Sequence, residues 1–289
     1  MSPDEVMKAK ISPFFWSGIV LVMAQSLTLH VAFREKLYLE ANQISSPDIS
    51  LGPVLVYFFG VVVLLGLVLF FLPVNKLRVV FRVAFAVMLG WGAFISTVFT
   101  LPGYLPYAAA AAAAIIWFFW ARIWLHNLLF VGALAGAGAM FGFLFSPWTF
   151  MIFMLIVAVY DVLAVRFGYM MWMAGRFSDF DAMPAFVFPR RLADWNRSLD
   201  EVRLSELATQ ESVQRDFSIL GGGDIGFPLM LSVSVFFAAG LPGAIIVGLF
   251  ALAGLMGAFL IQLLWLKDKP MPALSPIALT CLAGLLIAT

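Results

Sequence analysis

A single cysteine, Cys281, is all that the 289 residues contain. Disulfides within the chain, CxxC redox centres and cysteine-rich zinc sites are thereby excluded. Histidine is nearly as scarce. His30 and His126 fall at the ends of different apolar runs, and no HExxH exists, so neither ring can serve a nucleophile beside the other. Charge is the third shortage: 11% of residues carry one and the net charge is only +1, which argues against a nucleic-acid partner. No internal repeat is present, and the one low-complexity tract is seven alanines at 108–114. The sequence carries no expectation of a metal or a cofactor.

What is abundant is apolar, 63% of the chain. A soluble protein of that balance would expose large apolar patches and aggregate. The apolar residues come in long blocks rather than stripes, so the solvent is lipid. A cleavable leader is a poor reading of the first block, because eight more follow it. Blocks of roughly 20 residues, the length that crosses the hydrocarbon, fall near 14–33, 51–73, 79–99, 105–125, 127–145, 148–166, 217–239, 243–266 and 272–288. Only Arg122, His126 and Asn127 interrupt the run from 105 to 145. As one helix that run would be about 60 Å long, twice the hydrocarbon thickness, so it is read as two. The expected fold is an all-α polytopic membrane protein of nine transmembrane helices.

Lysine and arginine give the orientation. With a cytoplasmic N-terminus, 15 of the 17 basic residues fall on the cytoplasmic side, and only Arg34 and Lys36 lie opposite. The positive-inside bias then places the N-terminus in the cytoplasm and the C-terminus outside. Three parts follow: a six-helix N-terminal part at 1–171, a cytoplasmic loop at 172–216 and a three-helix C-terminal part at 217–289. Glycines 132, 136, 138 and 142, and 248, 254 and 257, recur at helical spacing and are read as close packing. In the loop, Ser198-Leu-Asp-Glu201 has the form of a capping box opening a short helix to about Gln210. The stretch MPAFVFP, with Pro184 and Pro189, is read as extended.

Of 16 acidic residues, only Asp161 and Asp224 lie well inside apolar spans. An acid there costs a few kcal/mol or more, so it faces the bundle interior and marks a function. The bland reading is a carboxylate neutralised by a proton or tied to a nearby serine. Asp161 lies four residues before Val165, roughly 6 Å deep, and Asp224 eight residues beyond Asp216, roughly 12 Å deep. On neighbouring antiparallel helices the two can meet, and no lysine or arginine is deep enough to be an obvious counter-ion. Arg166 is better placed to snorkel to the interface. Two acids close together in a low dielectric cannot both ionise, which supplies a general acid and a general base at once.

The backbone around Asp224 is unusual. Gly221, Gly222 and Gly223 each cost a helix about 1 kcal/mol relative to alanine, and Pro228 cannot donate to the carbonyl of Asp224. The expectation is a helix loosened on both sides of the acid. A third element arrives at similar depth: Pro270, Pro272 and Pro276 disfavour a regular start to the last span, so Pro272-Ala273-Leu274 is expected to be extended near the inner surface. An extended substrate adding as a strand would satisfy such a backbone.

Together these elements resemble the presenilin and signal-peptide-peptidase family of intramembrane aspartyl proteases. The resemblance rests on nine spans, Tyr160-Asp161 in the sixth, Gly221-Gly222-Gly223-Asp224 as a G-x-G-D in the seventh, and Pro272-Ala273-Leu274 opening the ninth. It implies that Asp161 and Asp224 are the catalytic pair. Tyr160, the three glycines and Pro272, Ala273 and Leu274 would then shape the site and hold substrate, a transmembrane helix that unwinds in the bilayer. The expected orientation is that of presenilins, the reverse of signal peptide peptidases, and the short chain is similar to archaeal presenilin homologues. That places it in the plasma membrane of a prokaryote, with room for self-association and for partner subunits. Two features depart from the pattern: a loop near 45 residues, short for self-cleavage, and Ser275 where presenilins carry another proline.

The competing readings are an ion channel or secondary transporter using intramembrane carboxylates, and a structural scaffold. The first predicts a pseudo-symmetric half that the sequence lacks. The second leaves both acids unexplained.

Overall fold

The computed structural model describes residues 3–45, 47, 49–71, 74–180, 182–202, 216–265 and 271–289. The elements in chain order are α1 (Pro3–Ala41), α2 (Leu51–Phe71), α3 (Val74–Val98), α4 (Leu105–Phe119), α5 (Ile123–Phe143), α6 (Pro147–Arg166) and α7 (Tyr169–Asp179). There follow β1 (Ala185–Pro189), two 3₁₀ turns (Leu192–Asn196 and Leu199–Glu201), β2 (Phe217–Gly221), α8 (Gly222–Leu264) and α9 (Leu274–Ala288). Six of these helices (α1, α2, α3, α5, α6 and α8) are long and apolar enough to cross a bilayer, and α4 and α9 are apolar but shorter. The protein is a helical, polytopic membrane protein.

The core lies where α1, α5 and α8 pack together, with α9 along α8 and α3 against α4 and α5. Small residues set these distances. A Cβ on Gly92 would collide with the Ala133 Cα, so α3 and α5 touch backbone to backbone. By contrast, Leu69 is the only buried residue of α2 among those described.

Several boundaries differ from the sequence expectation. The break in the 105–145 run falls at 120–122 rather than near 126. Arg122 is extended (φ −95°, ψ 150°) because the polar segment claims its neighbours: Leu199 N–H donates to the Ala121 carbonyl and Ile123 N–H to that of Arg197. The seventh span does not begin as helix at 217. Residues 217–221 form β2, paired antiparallel with β1, with Val187 opposite Ile219. The expected loop at 172–216 therefore carries β1 and most of α7, which starts before it at Tyr169, and MPAFVFP is extended as read. The capping box is present, but it opens only the turn Leu199–Glu201, since Val202 is extended (φ −90°, ψ 91°); positions 203–210 of the expected helix lie outside the described residues. The seventh and eighth apolar blocks form the two arms of α8, which bends at Gly240 (φ 81°, ψ −176°), a left-handed φ that favours glycine.

Candidate active site

Asp161 belongs to a regular helix. The Ser146 side chain caps α6 by accepting from Thr149 N–H at 3.3 Å, and Pro147 follows in the first turn. Met154, Val157, Ala158, Asp161 and Ala164 are all buried, one continuous stripe at helical spacing. Asp161 is 8% exposed. Its carboxylate accepts the backbone N–H of Leu274, while Oδ2 is buried with no hydrogen-bond partner among the described residues. Tyr160 turns toward α2, its ring edge-on to Phe59 at 5.6 Å. Its hydroxyl is likewise buried without such a partner.

Asp224 is held by a strand-to-helix junction. The ladder between β1 and β2 continues through Gly222 N–H to the Pro184 carbonyl at 3.1 Å. Gly221 is the N-cap of α8 (φ −58°, ψ 140°), which puts Asp224 at the third helical position. There its carboxyl group reaches back to accept the Gly221 N–H, one half of a capping box. The expectation of glycines loosening a helix on the N-terminal side of the acid is corrected: the helix starts there. Gly222 is required by space, because a Cβ would meet the Phe130 ring at 2.5 Å and the Pro184 carbonyl at 3.0 Å. At Gly221 a Cβ would sit 3.1 Å from Oδ2 of Asp224 itself. Gly223 is exposed. Pro228 lies within α8 and is buried.

The half-buried carboxylate of Asp224 lies within electrostatic reach of Asp161. The third element closes on the same place, though not as expected. Pro272 lies outside helix and strand, Ala273 is already helical (φ −73°, ψ −25°), and Leu274 opens α9, 3% exposed. Pro276 falls in the first turn of α9, where a missing N–H leaves no intrahelical bond unmade. The extended strand beside the acids is thus β2, not Pro272-Ala273-Leu274.

Three contributors were given no role in the site from the sequence. The Ser275 hydroxyl donates to the Ala158 carbonyl at 3.2 Å and ties α9 to α6 one turn before Asp161. Asn127 grips β1 on its outer edge, accepting from Val187 N–H at 3.0 Å and donating to its carbonyl at 2.6 Å. Beside it, Trp117 Nε1–H donates to His126 Nδ1 at 3.2 Å, so the imidazole carries its proton on Nε2 and gives it to the Ala185 carbonyl at 2.9 Å. The available signal was a histidine and an asparagine inside an apolar run, visible only as an interruption. Among the described residues no cluster of three or more His, Cys, Asp or Glu could hold a metal.

A pair of interacting carboxylates on neighbouring helices, at the end of a short sheet, is suited to acid–base hydrolysis. The fold is similar to that of a presenilin family intramembrane aspartate protease, with a TM-score of 0.60 and 17% identity over 96% of this chain and 97% of the other. That likeness is one of fold. No curated protein matches the chain. The family model for "Signal-peptide peptidase, presenilin aspartyl protease" matches residues 17–289. Nearly the whole chain is covered, and it therefore belongs to the signal-peptide-peptidase and presenilin family and is an intramembrane aspartyl protease.

Proposed function

We propose that Asp161 and Asp224 are the catalytic pair and that they share one proton. The observation that carries this reading is the approach of the two carboxylates from α6 and α8, each held by a backbone N–H, of Leu274 and Gly221 respectively. The ionised member takes a proton from water as the water oxygen attacks the scissile carbonyl carbon. The neutral member gives its proton to the carbonyl oxygen, forming a gem-diol. Collapse of the diol breaks the C–N bond, the nitrogen takes a proton, and the pair returns to its starting state.

The substrates are transmembrane helices, whose scissile amide must first unwind because a helical amide is hydrogen-bonded and shielded. The two ladder bonds at Gly222–Pro184 and Arg190–Asp216 direct the backbone groups of Phe217, Ile219 and Gly221 away from β1. An unwound segment adding along that edge would be led to Asp224. Tyr160, Gly223, Pro272 and Ala273 complete the rim of the site.

Nine spans fit the elements: α1 to α6, the two arms of α8 on either side of Gly240, and α9. With the basic residues inward, the N-terminus is cytoplasmic, and the chain divides into 1–171, 172–216 and 217–289. The setting is a prokaryotic plasma membrane.

Purified protein incubated with a transmembrane peptide should release two fragments, identified by mass spectrometry. Asp161→Asn and Asp224→Asn should each abolish turnover, and wild-type rates in either variant would sink the assignment. The same assay should give a bell-shaped pH profile. Activity fails at low pH when both acids hold protons, and at high pH when neither does.

A further inference from the structure

At the end of the bundle that carries the sheet, α3, α4, the break at 120–122 and residues 198–200 line two adjoining pockets of about 330 and 230 Å³ that share Arg82 and Phe119. Their polar lining is mostly cationic. Arg78 and Arg82 stand one helical turn apart on α3 and line the first pocket, and Arg122, from the break before α5, lines the second with Arg82. Arg82 is fixed, its guanidinium donating to the Phe118 carbonyl at 2.8 Å and lying 5.4 Å over the Phe118 ring. Arg122 donates to the Asn196 carbonyl at 3.0 Å. Among the described residues of the lining, Asp200 is the one carboxylate and three side chains are guanidinium groups.

The remaining wall is apolar and open. Val79 is 63% exposed, Phe119 78% and Trp120 48%. Exposed aromatic and aliphatic side chains beside arginines at a helix end are the pattern of a membrane–water interface. We propose that this groove is a binding site for the phosphate head group of an anionic membrane lipid. The arginines take the phosphodiester, to which guanidinium groups donate in pairs, and the acyl chain runs down the face of Val79 and Phe119. That apolar wall, continuous with the exposed side of α3, favours a lipid over free phosphate. Basic pockets between transmembrane helices are suited to such head groups.

The position gives the site a consequence. The groove joins α3 and α4 to residues 198–200, which belong to the same polar segment as β1. A bound head group therefore braces the segment on which β2 is paired.

The test is a binding measurement independent of proteolysis. The full chain in neutral detergent is titrated with dioleoyl phosphatidylglycerol, dioleoyl phosphatidylcholine or inorganic phosphate, and retained ligand is counted by native mass spectrometry. Phosphatidylglycerol should be held several-fold more tightly than phosphatidylcholine. Arg78→Gln, at an exposed position, should weaken phosphatidylglycerol about fivefold, the equivalent of about 1 kcal/mol per surface cation. Val79→Glu, which places a carboxylate in the wall without touching an arginine, should weaken it too, with phosphatidylcholine unchanged in both variants. Equal retention of the two lipids, or phosphatidylglycerol binding indifferent to both substitutions, would overturn the site. Displacement of the lipid by millimolar inorganic phosphate would overturn its assignment to a lipid.

Discussion

Of the three consecutive glycines before Asp224, Gly221 and Gly222 serve different purposes, and the difference can be measured. At Gly222 a methyl group would collide with the Phe130 ring and the Pro184 carbonyl, so Gly222→Ala should lower the melting temperature and activity together. At Gly221 the added methyl would meet chiefly Oδ2 of Asp224. Gly221→Ala should therefore lose at least tenfold in kcat while thermal stability changes little. Equal losses of stability in the two variants would mean that Gly221 serves packing alone. Both aspartates were legible in the sequence because a charge in an apolar block is conspicuous and costly. The separate jobs of the glycines were not, because adjacent residues with no side chain differ only in what surrounds them.

At the scale of elements, the two-stranded sheet depends on a side chain from a helix. Asn127 supplies both a donor and an acceptor to Val187 on the edge of β1 opposite β2. Asn127→Ala would leave that N–H and carbonyl unpaired in a buried place, costing roughly 1–3 kcal/mol for each group. Faster hydrogen exchange at Val187, with reduced proteolysis and intact α-helical circular dichroism, is the expected outcome. Unchanged exchange would show that the strand holds itself. The extended character of MPAFVFP could be read from its prolines and β-formers. Its partner could not: Phe217–Gly221 is apolar and abuts an apolar helix, so hydropathy alone merges strand and helix into one block. The same blindness shifted the break at Arg122, where the helix yields to hydrogen bonds from residues 197–199, far along the chain.

For the whole molecule, the testable quantity is orientation. Cys281 is buried, so introduced cysteines can be read against a silent background. Ser45 and Asn196 are exposed and lie, in the proposed topology, on opposite sides of the membrane. In intact cells a membrane-impermeant maleimide should label Ser45→Cys and spare Asn196→Cys, with the pattern inverted in inside-out vesicles. Labelling of both from one side would break the topology. The loose seating of α2, with Leu69 its one buried residue among those described, belongs to this scale too. Its sequence is as apolar as that of any buried helix, so only packing distinguishes a helix in the core from one facing lipid.

The sequence by itself determined the solvent and marked the two acids, since long apolar blocks need lipid and an intramembrane carboxylate needs a reason; the family was legible as a resemblance carried by Tyr160-Asp161, Gly221-Gly222-Gly223-Asp224 and Pro272-Ala273-Leu274 in order. Tertiary structure alone decided where α8 begins, which backbone N–H meets each carboxylate, and that Ser275, His126 and Asn127 hold the frame around them. Those choices are made by hydrogen bonds between segments up to 117 residues apart, and a local pattern contains no record of what will be brought beside it.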